Sequence, residues 1–108
     1  MESVGTLDWY SESENDLALS IETKKYSNGN LVKRCFLSDG RVAICRELTG
    51  ADCVESDKIS QSKQELVYSA MMALSAKIDD KPVVLEDLLQ MKAKDFNRIK
   101  IMTVTLNF

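Results

Sequence analysis

Two stretches in the second half of the chain carry apolar residues at helical spacing on more than one side, which a helix packed on a single small core does not need. Between Leu66 and Ile78, at about 100° per residue, Leu66, Val67, Ala70, Met71, Leu74 and Ile78 form one wide stripe, while Tyr68, Met72 and Ala76 fall on the other side. A surface helix leaves its second side polar. This one is therefore either buried from two directions or reserved for a partner. The last stretch repeats the pattern: Phe96, Ile99, Met102 and Leu106 share one side, and Ile101, Val104 and Phe108 gather opposite. Thr103, Val104 and Thr105 are β-branched and lower helix propensity, so this end is expected to fray or to change shape when bound.

The first half reads differently. With 108 residues the chain has room for one core and one domain. Leu17 to Thr23 alternates apolar and polar after Leu17, as a half-buried strand does. Ser27-Asn28-Gly29-Asn30 marks a turn. Leu31–Leu37 and Arg41–Leu48 then read as the arms of a hairpin around Asp39-Gly40. Thr49 followed by Asp52 forms a shortened capping box, which predicts a surface helix from Gly50 to about Ser60. A long helix from Lys63 to Ile78 is expected to stop at Asp79-Asp80-Lys81-Pro82, because Pro82 disfavours helical geometry at Lys81. Val83 and Val84 are expected to be extended, with helices over Leu85–Met91 and Lys94–Leu106. The fold class is α+β: a small antiparallel β-meander in the N-terminal half packed with three to four α-helices in the C-terminal half. Residues 1–15 contain the acidic run Ser11-Glu12-Ser13-Glu14-Asn15 and are expected to form a mobile segment ahead of a single domain over 16–108. Within that segment Trp9 and Tyr10 are expected to dock on the chain's own sheet.

Composition narrows the chemistry. A formal charge of −3 argues against general affinity for nucleic acid, although Lys24-Lys25 and Lys33-Arg34 lie near Tyr26 and Phe36, the residue types that stack and hold a single strand. No apolar run approaches the ~20 residues that cross a bilayer. The first residues lack the pattern of a secretory signal, so the expected location is cytoplasmic, with no membrane partner. The chain has no histidine, the commonest general base and metal ligand. Its adjacent acids, Asp79-Asp80 and Glu86-Asp87, diverge instead of converging on one substrate atom. No phosphate loop or nucleophile elbow is present. The expectation is a protein that is not an enzyme, with no cofactor, metal or catalytic residue. Cys35, Cys45 and Cys53 match no metal spacing, and neither hairpin register around Asp39-Gly40 sets Cys35 opposite Cys45, so three free thiols are expected.

Phe36-Leu37-Ser38-Asp39-Gly40-Arg41 and Arg46-Glu47-Leu48-Thr49-Gly50-Ala51-Asp52, followed by Ile78-Asp79-Asp80-Lys81-Pro82-Val83, Glu86-Asp87-Leu88-Leu89 and Lys94-Asp95-Phe96-Asn97, resemble the small tail assembly chaperones of long-tailed bacteriophages and prophages. The resemblance spans roughly residues 31–99 and rests on turn and cap residues. It implies a viral protein of the bacterial host cytoplasm that keeps the long tape measure protein soluble and helps recruit tail tube protein, with no catalytic residues. The rival readings are a structural tail or neck component of the virion and a small regulatory protein-binding module. The residues expected to face a partner are Tyr68, Met72, Ile101, Val104 and Phe108, with Met71 and Met102 in the core. The same surplus apolar surface would also serve a homo-oligomer.

Overall fold

The hairpin predicted around Asp39-Gly40 forms the centre of the sheet. The computed structural model describes residues 9–108. Strand β1 (Glu22–Lys25) pairs with β2 (Leu31–Phe36), and β2 with β3 (Val42–Arg46), all antiparallel. Gly40 takes φ +92°, and Cys35 stands opposite Ala43, the register of a three-residue loop closed by a glycine bulge. Two further strands, β4 (Ala76–Ile78) and β5 (Lys81–Pro82), continue the meander, so the described sheet has five strands in sequence order. Helix α1 (Glu14–Ala18) precedes the sheet. Helices α2 (Gly50–Ile59) and α3 (Val67–Ser75) connect β3 to β4, and α4 (Leu85–Gln90) and α5 (Ala93–Asn107) follow β5. The architecture is α+β.

Strand β4 was expected as helix. The chain leaves helical geometry at Ala76 because Ser75 Oγ donates to Arg46 O at 2.8 Å and Ala76-Lys77-Ile78 finds a partner in β3, burying Ala76 and Ile78 and exposing Lys77. Asp79 and Asp80, with φ of 50° and 65°, then make the two-residue turn into β5. The Asp79 amide donates to Val42 O, and its carboxylate accepts from the Val42 amide. At its other end α3 is preceded by a 3-10 turn over Gln64–Leu66, so the expected helix of residues 63–78 is α only over 67–75. The first strand also differs. Leu17 and Ala18 belong to α1, capped by Ser13, whose side chain accepts from the Asp16 amide, and the strand starts at Glu22. The capping box at Thr49 and Asp52 is present as predicted.

The sheet is two-faced. Paired residues in neighbouring strands project to one side, and Thr23, Lys33, Cys45 and Ala76 form one buried row, with Cys35, Ala43 and Ile78 the next. Helix α5 lies across β2 and β3 on this side, α3 packs on α5 and α4, and α2 packs on α3. Met72, Ala73, Leu88, Ile99 and Met102 fill the space between. At about 25 cal/mol per Å² of apolar surface removed from water, this layer is the main favourable contribution to folding. On the other face of the sheet Val32, Val42 and Ile44 are half-buried and Phe36 is exposed.

All three cysteines are free. Cys35 and Cys45 lie beneath α5, where burial pushes their thiols up to about 12 and about 11, whereas Cys53 is exposed on α2. Thiolate is the reactive form. At pH 8 the folded chain should therefore show one fast thiol toward a chromogenic disulfide, and the unfolded, unreduced chain three. A single thiol after unfolding would mean that two are bridged.

Candidate partner-binding surface

Helices α3 and α5 bring four of the five expected contact residues to the surface and take the fifth inside. Tyr68 is 58% exposed and Phe108 70% exposed, and their rings meet edge to face with centroids 5.9 Å apart. This geometry is favoured for aromatic pairs and holds both rings at the surface. Val104 is half-buried one turn before Phe108, and Ile101 is half-buried one turn further back, packed on the rim of the core. Their positions on α5 share one side of the helix. Asn97, Lys100, Ile101, Val104 and Thr105 line a hollow of about 390 Å³ along that side.

Met72 is a correction. It is 1% exposed and sits in the core cluster, not on the contact surface. The side of α3 facing the core is set by Ser69, Ala70, Met72 and Ala73, whereas Leu66, Val67, Met71 and Leu74 are only half-buried. Small residues let α3 approach its neighbours closely, so the buried side is the less bulky one. A stripe drawn by side-chain size points about a third of a turn away from it. Met71, expected in the core, is only half-buried for the same reason, while Met102 is fully buried as expected.

A second apolar surface escaped the sequence analysis. On the opposite face of the sheet, Ile44 and Pro82 with Leu74 at the end of α3, and with Arg46, Lys77 and Asp80 near them, line a groove of about 360 Å³. Phe36 is 53% exposed on the same face of β2. This face carries Lys24, Arg34, Arg46 and Lys77, yet both arginines already hold carboxylates. Arg34 Nε donates to Glu22 at 2.9 Å, and Arg46 donates to both oxygens of Asp52 at 2.8 and 3.0 Å. The Arg46 guanidinium holds the Asp52 carboxyl well below the usual carboxylate range, so the pair stays ionised at any pH near neutral. A phosphate backbone would have to displace these carboxylates, which weakens the single-strand reading of the basic residues.

Trp9 docks on the chain's own sheet, as expected. The Arg34 guanidinium stacks 4.1 Å from the centre of its ring, and Lys24 Nζ lies 5.5 Å from it. Tyr10 pairs with Thr23 at the edge of β1. The acidic run assigned to a mobile segment is thus in contact with the sheet from residue 9 onward, held by polar contacts in place of the apolar burial that its composition lacks; residues 1–8 lie outside the described residues.

Among the described residues no cluster of histidine, cysteine, aspartate or glutamate has the arrangement of a metal site, and no helix is long and apolar enough to cross a membrane. Comparison of the chain with protein-family models, with curated proteins and with solved structures finds no match.

Proposed function

We propose that the chain is a non-enzymatic tail assembly chaperone that covers apolar helical segments of a tape measure-type tail protein in the bacterial host cytoplasm and helps recruit tail tube protein. The observation that carries this reading is the stripe formed by Ile101 and Val104 on α5 and Phe108 at its C-terminal end, with Tyr68 of α3 against Phe108. Two exposed aromatic rings that support each other, beside a shallow apolar hollow, offer an amphipathic client helix places for its own apolar residues. The resemblance of residues 31–99 to phage tail assembly chaperones supplies the identity of the client.

Co-expression with a tape measure-type protein tests the reading. The wild-type chain should keep that protein in the soluble fraction. Tyr68→Asp combined with Phe108→Asp should lose most of that effect, while far-UV circular dichroism and the melting temperature stay close to wild type, since substitutions at exposed positions usually change stability by no more than about 0.5 kcal/mol. Equal solubility with and without the chain, or an undiminished effect of the double variant, would remove the proposed function from this surface. Purified virions provide a second check, because a chaperone is absent from the finished particle and a structural tail or neck component is retained.

A further inference from the structure

Residues 9–16 lie against β1 like a bound peptide. The Tyr10 amide donates to Thr23 O at 2.9 Å and the Thr23 amide donates back to Tyr10 O, one antiparallel bridge at the outer edge of β1. Ser11 Oγ donates to Ile21 O at 2.9 Å. On one face of the sheet Trp9 stacks under Arg34; on the other, Glu12 Oε1 lies 2.9 Å and Asp16 Oδ2 3.5 Å from Lys33 Nζ. Lys33 is 2% exposed, and among the described residues its other hydrogen bond goes to Thr105 Oγ1 at 2.9 Å. A buried ammonium requires an anion, and here both anions come from this one segment.

The segment fits the edge through polar contacts more than through apolar burial. Leu17, the aliphatic residue that follows it, is 68% exposed, and the buried residue of α1 is the charged Asp16. Ser20, which joins α1 to β1, holds φ +59°, a left-handed conformation that a residue other than glycine adopts at a cost. Thr23 Oγ1 is fully buried with no hydrogen-bond partner among the described residues, directly beside Lys33 in the register and at the position that Tyr10 pairs with. The edge therefore offers a hydroxyl that the present occupant does not satisfy. These features describe a segment that opens at lower free energy than the helix-covered core.

We propose that the β1 edge and the Lys33 ammonium form a docking site for an extended peptide segment of a partner protein, with residues 9–16 as its resident placeholder. The partner segment adds a strand to β1 through main-chain hydrogen bonds. It places an aromatic side chain on Arg34, a hydrogen-bonding side chain beside Thr23, and, three residues after the aromatic one, a carboxylate on Lys33. This site lies at the sheet edge and meets the α5 hollow at Thr105, which bonds Lys33 and lines that hollow.

The test uses the full chain and a dye-labelled synthetic peptide copying Trp9 to Asp16. Tyr10→Pro deletes the amide that donates to Thr23 O and leaves β1 and Lys33 untouched. Tryptophan emission should shift to the red as Trp9 leaves Arg34, while amide exchange in β2 and β3 stays slow. Fluorescence anisotropy should then show the peptide binding this variant at least ~10-fold more tightly than the wild-type chain, in which a tethered occupant competes at a millimolar effective concentration. Adding Lys33→Met should abolish that binding.

Released tryptophan without peptide binding, or binding that survives Lys33→Met, overturns the proposal. Unchanged tryptophan emission also overturns it, because the segment is then not displaceable. If Tyr10→Pro exposes the amides of β2 and β3, the pair Glu12→Gln with Asp16→Asn carries the same comparison, and loss of protection there too would make the segment part of the folding unit and overturn the proposal. A wild-type dimer that the added peptide dissociates would assign the edge to residues 9–16 of a second copy, again overturning a separate partner.

Discussion

Replacing Met72 by aspartate is expected to unfold the chain at neutral pH. Met72 is 1% exposed and packs in the cluster with Cys45, Ala73, Leu88, Ile99 and Met102. Truncating such a methionine to alanine costs about 2–5 kcal/mol in lost burial and residual cavity. An unpaired carboxylate in the same place adds several kcal/mol of desolvation, against a total stability of roughly 5–15 kcal/mol for a domain of this kind. The described groups able to receive that carboxylate are few, since the nearby buried hydroxyls of Ser75 and Thr103 are already engaged with Arg46 O and with Cys45 Sγ. Urea denaturation followed by circular dichroism should give no folded baseline for Met72→Asp, a lowered midpoint for Met72→Ala, and a midpoint near wild type for Tyr68→Asp. A cooperative Met72→Asp transition at the wild-type midpoint would mean that the side chain lies outside the core.

The same residue shows where sequence reasoning works and where it stops. Local chemistry was legible: the Asp39-Gly40 hairpin turn, the Thr49/Asp52 capping box and the extent of α2 follow from residues a few positions apart, whereas the choice between a two-residue loop and a three-residue bulged loop is made by the strand register. Burial on α3 was not legible, because large apolar residues define the stripe while small ones define the close approach, and only the position of α5 decides between them. Strand β4 escaped for a related reason. Ala76-Lys77-Ile78 is too short to reveal a period of two, and what makes it a strand is β3, more than thirty residues earlier in sequence. Asp79-Asp80 carried a usable signal, since adjacent aspartates tolerate the left-handed φ of a two-residue hairpin turn. Of the candidate surface, Tyr68 and Phe108 were found by their position opposite the apolar stripes, but their contact with each other joins two helices and has no sequence signature. Nor does composition reveal that Lys33, one of a basic doublet, points into the core while Arg34 points out; that follows from strand alternation once the register is known.

Asp95 should give the second large effect, and one that depends on pH. It stands in the first turn of α5 and is 4% exposed, with Oδ2 accepting from the Ser38 hydroxyl at 2.7 Å and Oδ1 from the Ser38 amide at 2.9 Å. These bonds tie the β2–β3 turn to the start of the helix that covers both strands. Burial works to raise the Asp95 carboxyl, but the Ser38 hydroxyl and amide, with Arg98 nearby, outweigh it, and the net shift is downward. Hydrogen bonds to a charged acceptor contribute about 1.5–3 kcal/mol each. Ser38 is exposed and regains water when the carboxylate is removed, so Asp95→Ala is expected to cost about 3 kcal/mol in total at pH 7, the low end of that range for two bonds. A carboxyl lowered in the folded state contributes fully above its unfolded value of about 3.9, and the contribution disappears as pH falls through the lower folded value. The stability difference between wild type and Asp95→Asn, which keeps the shape and removes the charge, should therefore be widest near neutrality and narrow below pH 4. Urea midpoints at a series of pH values measure this directly. Equal midpoints for the two proteins from pH 7 to pH 3 would show that Asp95 acts through shape alone, and that the turn is joined to α5 without help from its charge.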